Sequence, residues 1–223
     1  MAAFWILMGL AGTAAVVDWT AVGSGNRRLE YAAKPAVLAA LVAAAAVLPL
    51  DHTGLVDRRW WFVAALVCCL AGDVLLMLPR NLFVPGLAAF LLGHGLFIAG
   101  LLQPPAPPGV PPFTFAVTGL VVASVMVVAV EAGPGTLLLR SLVTTHQQSL
   151  VAPVCLYTAA IATMVVLAVN VGVVAAAVGS ALFLVSDTLL SWNRFVRPIP
   201  SGTLAVHATY HLAQGLLVIS LLH

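Results

Sequence analysis

Residues 179–195, Gly179-Ser-Ala-Leu-Phe-Leu-Val-Ser-Asp-Thr-Leu-Leu-Ser-Trp-Asn-Arg-Phe195, form an apolar run of membrane grade with a carboxylate, Asp187, set inside it. An acid in a bilayer span is costly unless something compensates, so it marks a functional site by default. A second acid of this kind, Asp73, lies in Cys69-Leu-Ala-Gly-Asp-Val-Leu-Leu-Met-Leu-Pro79. The rest of the chain reads as a scaffold for these two residues.

Composition sets the class. Of 223 residues, 62% are hydrophobic and 7% charged, whereas soluble domains carry about 25% charged residues. The pattern is that of a polytopic membrane protein. A net charge of +2 is too small to point to nucleic acid. Cys68, Cys69 and Cys155 lie in apolar runs without metal or redox spacing and read as core-filling thiols. No basic segment precedes the first apolar run, which reads as a retained span rather than a signal peptide.

A helix needs about 20 apolar residues to cross the hydrocarbon. Eight segments qualify: 3–22, 32–50, 60–78, 82–102, 113–131, 150–169, 171–192 and 203–222. The expected fold is all-α, an eight-transmembrane-helix bundle forming a single integral membrane domain over 1–223. Asn170-Val-Gly172 predicts a tight turn. The longest link, 132–149, opens on Gly133-Pro-Gly135, with room for a short interfacial helix. Arg27, Arg28, Lys34, Arg80, Arg140, Arg194 and Arg197 fall on one side, and Arg58 and Arg59 on the other, beside Asp51 and Asp57. The positive-inside rule then puts both termini on the non-cytoplasmic side.

With that topology the polar residues gather in the cytoplasmic halves of the spans. Asp73 and Asp187 are expected at similar depth. His207, Tyr210, His211 and Gln214 are spaced i, i+3, i+4, i+7 and share one helical face. Lys34 and Tyr157 fall at the same level, with His94 nearer mid-membrane. The pattern argues for one polar cavity opening toward the cytoplasm. Gly72-Asp73-Val-Leu-Leu also echoes Ser186-Asp187-Thr-Leu-Leu, a weak internal repeat. Asp18, near the end of the first span, is expected to snorkel or pair with Arg27 or Arg28. Trp5, Trp19, Trp60, Trp61 and Trp192 lie near span ends as interfacial anchors.

Two carboxylates in apolar surroundings are the arrangement in which one acid holds a proton while the other stays ionised. Each could instead be a structural acceptor for Lys34, a tyrosine or a histidine; two acids beside His, Tyr and Gln favour chemistry. His207 and His211, at i, i+4, have a metal-ligand spacing and with an Asp would suit a metal-dependent lipid hydrolase, although no HExxH motif is present. Intramembrane acids also serve proton-coupled transporters, but a transporter needs polar groups reaching both faces, and the outer halves of these spans are nearly featureless. A non-catalytic lipid-binding protein is the remaining alternative. His52, His146 and His223 fall in loops or at the end of the chain and read as uninvolved.

Lys34-Pro35, Gly72-Asp73-Val-Leu-Leu-Met77, Phe90 to His94 with Phe97, Pro153 to Tyr157, the Ser186-Asp187 run, and Thr209-Tyr210-x-x-Ala213-Gln214 together resemble the YhhN membrane proteins, a family that includes lysoplasmalogenases. The resemblance runs from the second span to the eighth. His207 and His211 depart from the family pattern. The resemblance implies hydrolysis of the vinyl ether bond of lysoplasmalogens to a fatty aldehyde and a glycerophospho-base. Asp73 and Asp187 would be catalytic, following the two-carboxylate logic of glycosidases. Lys34, His94, Tyr157, Ser186, Asn193, Tyr210, His211 and Gln214 are the candidate substrate-binding residues. The expected partner is a lysophospholipid within the membrane, with no metal, no cofactor and no nucleic acid. The expected location is a bacterial inner (plasma) membrane, with the site facing the cytoplasmic side.

Overall fold

The computed structural model describes residues 1–49, 53–103 and 131–222, and the isolated positions 121, 124, 125 and 128. The expected span 113–131 lies outside the described residues apart from those positions and Glu131. His52 and His223 lie outside them as well. Among the described residues the regular secondary structure is all helix, with no strand, and seven helices are long and apolar enough to cross a membrane. Large apolar side chains such as Ile6, Leu92, Leu156 and Val174 point outward. Such a surface is a liability in water and fits a lipid environment. The chain is an integral membrane protein.

The chain divides into two compact units, residues 1–105 with 214–223, and residues 106–213. The first unit holds α1 (Ala2–Ser24), α2 (Arg27–Val47), α3 (Thr53–Met77) and α4 (Phe83–Leu101). Gly25 ends α1 in the left-handed conformation at φ 71°, which glycine adopts without steric cost. The Gly25 and Asn26 amides return to the Val22 and Ala21 carbonyls, and the Asn26 side chain accepts from the Leu29 amide at 3.2 Å. This C-cap followed at once by an N-cap makes the α1–α2 hairpin tight. It also starts α2 five residues before the expected 32.

Helices α3 and α4 pack closely. A Cβ on Gly72 would lie 2.6 Å from the Phe90 ring, so only glycine permits this approach. Further along, Phe62 and Phe97 meet edge-to-face with centroids 5.0 Å apart, both fully buried.

Helix α3 begins seven residues before the expected 60, and this changes the meaning of its two arginines. Arg58 Nη2 donates to the Gln103 carbonyl at 2.9 Å, just past the end of α4. Arg59 Nη1 donates to the Leu48 carbonyl at 2.5 Å, at the end of α2. Helices α2 and α4 are the sequence neighbours of α3, and the two guanidinium groups meet their negative C-terminal ends, where cations are favoured. Read in the sequence as loop charges, they are helix caps, and Arg58 is buried.

The second unit holds a single π turn (Glu131–Gly135), α5 (Thr136–Thr144), a short 3₁₀ turn (Gln148–Leu150), α6 (Val151–Asn170), α7 (Val174–Phe195) and the first part of α8 (Gly202–Ile219). The last turns of α8, from Gln214, count with the first unit. Gly133-Pro134-Gly135, at the opening of the expected link, is helical. Pro134 sits in the π turn directly ahead of α5, where a missing amide costs least. The anticipated short helix is α5, whose Leu138 and Leu142 pack on Val154, with Leu150, Val151, Phe195 and Val196 around them. The Ser141 hydroxyl donates to the Phe195 carbonyl. The turn at Gly172 is as expected, with φ 76°. Cys69 is buried as a core thiol, but Cys155 is exposed, because its position on α6 falls on the outward face beside Leu156.

Candidate functional site

In the first unit the acid of α3 is held by the base of α2. Lys34 Nζ lies 3.0 Å from Asp73 Oδ1, and both side chains are buried. Lys34 sits seven residues into its helix, immediately before Pro35. That proline removes the amide which would bond the Tyr31 carbonyl, so the local backbone is polar where the ammonium is buried. An ion pair taken out of water is stable only with good geometry and further hydrogen bonds.

His94, on α4 of the same unit, is fully buried, with Nδ1 2.8 Å from the Phe90 carbonyl. A carbonyl can only accept, so Nδ1 carries a hydrogen. Gln214 is also fully buried. Asp18 corrects an expectation: it is fully buried in α1 and does not snorkel. The spacing carries a signal for this: Asp18 follows Ala11 and Ala15 by seven and three residues, on the buried stripe of α1.

In the second unit the acid of α7 is held by a phenol of α6. Tyr157 donates its hydroxyl to Asp187 Oδ2 at 2.5 Å, the short end of the range for O–H···O bonds. Tyr210 of α8 packs edge-to-face on Phe183 of α7 at 5.5 Å. His207 and His211 lie on the Tyr210 side of α8, and all three are buried, as the i, i+3, i+4 spacing predicts. Their rings stand 6.0 Å apart, centroid to centroid. Among the described residues no three His, Cys, Asp or Glu side chains are grouped to hold a metal ion.

Two candidates are held by the fold itself. The Ser186 hydroxyl donates to the Val206 carbonyl at 3.1 Å, tying α7 to α8. Asn193 Oδ1 accepts from the Ile199 amide at 2.9 Å and so shapes the α7–α8 turn. Asp187 and Asp73 also differ in place. Asp73 stands four residues from the end of α3 and Asp187 eight from the end of α7, because α7 runs on to Phe195 before the Asn193 turn. The structure thus pairs Lys34 with Asp73 and Tyr157 with Asp187, and gives Ser186 and Asn193 backbone partners.

These features define a class: a helical integral membrane protein with one buried and one half-buried aspartate inside its apolar helices, each held by a polar side chain of a neighbouring helix. Residues 29–221 match the model of the YhhN family, and the chain belongs to that family. It is 33% identical over 159 residues to human lysoplasmalogenase TMEM86B, covering 71% of this chain and 62% of that protein. It is 32% identical over 209 residues to a lysoplasmalogenase of Mycobacterium tuberculosis, covering 88% of this chain and 75% of that one. Thus the chain spans less than two thirds of the human relative's length. No solved structure matches the chain.

Proposed function

We propose that the protein is an intramembrane lysoplasmalogenase, hydrolysing the vinyl ether bond of a lysophospholipid to a fatty aldehyde and a glycerophospho-base. The observation that carries the chemistry is the unlike partnering of the two acids, Lys34 with Asp73 and Tyr157 with Asp187. The names of the relatives support the substrate.

An ammonium neutralises Asp73 as a carboxylate, which makes it the base. Asp187 has a neutral phenol on one oxygen and carries the proton on the other, which makes it the acid. Asp187 protonates the vinyl carbon distal to the ether oxygen, giving an oxocarbenium ion. Asp73 takes a proton from water as the water oxygen bonds to the carbon bearing the ether oxygen. In the collapse of the hemiacetal, Asp73 returns its proton to the departing glycerol oxygen. Asp187 recovers its proton from the hemiacetal hydroxyl, and the aldehyde forms. Lys34, Tyr210 and His211 serve the polar head, and the hydrocarbon chain lies toward lipid. In this reading both termini are non-cytoplasmic and the substrate enters from the cytoplasmic side of the plasma membrane.

The test is aldehyde release from lysoplasmenylethanolamine by purified protein in detergent, beside Asp73→Asn and Asp187→Asn checked for folding. Each variant is expected to lose at least ~100-fold, the scale of acid–base groups. A silent wild type overturns the substrate. Active variants overturn the two-aspartate chemistry.

A further inference from the structure

Among the described residues, Gln214 is a buried side chain with both of its polar atoms lacking a hydrogen bond. It is 0% exposed, and neither amide atom, Nε2 or Oε1, has a hydrogen-bond partner among the described residues. A glutamine four residues after a carbonyl of its helix has a local remedy. Gln103 shows it, donating Nε2 to the carbonyl four residues back, Ala99, at 3.3 Å. Buried serines in this protein take equivalent local routes, Ser180 to Ala177 and Ser220 to Leu217. Gln214 does not, although the Tyr210 carbonyl stands four residues behind it. A buried amide left unsatisfied is costly, and a native one calls for a bound group that completes it.

The chemistry of the amide limits that group. It presents an acceptor oxygen and two N–H donors. The smallest ligand group that both donates and accepts at one point is a hydroxyl. An ester or ether oxygen satisfies only the donors and leaves Oε1 bare. The adjoining turn of α8 carries Tyr210 and His211, also buried, so Gln214 lies on the polar face of its helix rather than among lipid-facing residues.

Resting on the lysoplasmalogen reading, we infer that Gln214 binds the free sn-2 hydroxyl of the substrate glycerol and is the residue that selects a lysolipid over its 2-acyl parent. In the parent that oxygen is an ester. It has no hydrogen to donate to Oε1, and it brings a second acyl chain to the same point. A site built around a hydrogen-bonded hydroxyl rejects analogues lacking it strongly, because its own buried groups then go unpaired.

The experiment compares kcat/KM for a 1-alkenyl lysophosphoethanolamine with its 2-deoxy and 2-methoxy analogues, in wild type and in Gln214→Met. Wild type is expected to favour the hydroxyl substrate over both analogues by at least ~30-fold, the scale of leaving a buried group unpaired. In Gln214→Met, which matches the glutamine in length and offers no comparable hydrogen bond, the preference is expected to fall within ~3-fold. Gln214→Leu serves the same purpose should the methionine variant not fold, and equal wild-type ratios overturn the inference without any variant. Equal hydrolysis of the deoxy substrate by wild type overturns the inference. So does a preference that survives Gln214→Met, which would leave the amide to a structural water. Wild type that cleaves neither the lysolipid nor its analogues removes the substrate reading itself, and this inference with it; that result is distinct from cleavage without discrimination.

Discussion

Lys34 and Asp73 stand on the successive helices α2 and α3, and their ammonium and carboxylate meet at 3.0 Å with both side chains buried. Removing one member leaves the other charge inside the protein without this partner, a change that costs about 3–5 kcal/mol. Asp73→Asn and Lys34→Met are each expected to lower the unfolding midpoint in detergent. The double variant Lys34→Met/Asp73→Asn removes both charges and is expected to recover most of the loss, while hydrolysis stays abolished. That separates the catalytic demand for Asp73 from the structural one. A double variant no more stable than Asp73→Asn would show that the pair does not act as a unit.

The bond from Tyr157 to Asp187 is short, at 2.5 Å, and links α6 to α7. A hydrogen bond between neutral groups contributes about 0.5–1.5 kcal/mol net. Tyr157→Phe keeps the ring and deletes the donor. It is expected to fold, to lose on the order of 1 kcal/mol of stability, and to lower kcat/KM for the lysolipid by ~10–100-fold. A full-rate Tyr157→Phe would remove the phenol from the account of Asp187.

Much of this architecture is legible in the sequence because spans are written in a coarse code, long apolar runs between polar breaks. The seven described membrane helices fall where such runs lie. Their ends are less legible. Arg58 and Arg59 read as loop charges because composition carries no trace of the carbonyls at Leu48 and Gln103 that receive them. Gly133-Pro134-Gly135 reads as the opening of a link, although its place ahead of α5 makes a proline tolerable in a helical turn. Within the site, the two acids announce themselves by being charged inside apolar runs, and the helical spacing of His207, Tyr210 and His211 foretells their common burial. The choice of Lys34 for Asp73 and Tyr157 for Asp187 depends on how neighbouring helices are rotated, which no local pattern specifies. Asp18 reads as able to snorkel because a charge six residues from a helix end looks able to reach water, whereas its face of α1 is turned inward.

The contact of α3 with α4 gives a prediction with an internal control. An added Cβ at Gly72 would fall 2.6 Å from the Phe90 ring, and at Gly95 nothing lies within 4 Å. Phe90 is buried and has little room to yield, so Gly72→Ala is expected to cost about 1–3 kcal/mol as overpacking. Gly95→Ala, in the same pair of helices, is expected to be neutral or to gain up to about 1 kcal/mol from helix propensity. Thermal unfolding of the two variants side by side in one detergent checks both signs. Equal effects would mean that α3 and α4 do not meet at Gly72.

Asn193 tests whether a residue flagged as substrate-binding is instead a turn residue. Its Oδ1 accepts from the Ile199 amide at 2.9 Å, and a Cβ on Gly202 would lie 2.4 Å from its Nδ2, so the amide group is wedged into the connection between α7 and α8. Asn193→Ala deletes the acceptor and is expected to cost about 1 kcal/mol, as for loss of a capping side chain. Asn193→Asp keeps an oxygen facing the Ile199 amide and loses only the Nδ2 donor. If the role is the turn, the aspartate variant retains the stability that the alanine variant loses, and its kcat/KM stays close to wild type. If Nδ2 instead binds the lipid head, the aspartate variant keeps the fold and loses turnover, since a carboxylate cannot donate and would repel a phosphate. Melting curves and steady-state rates on the two proteins therefore separate the roles, because the turn predicts loss in alanine alone and binding predicts loss in both.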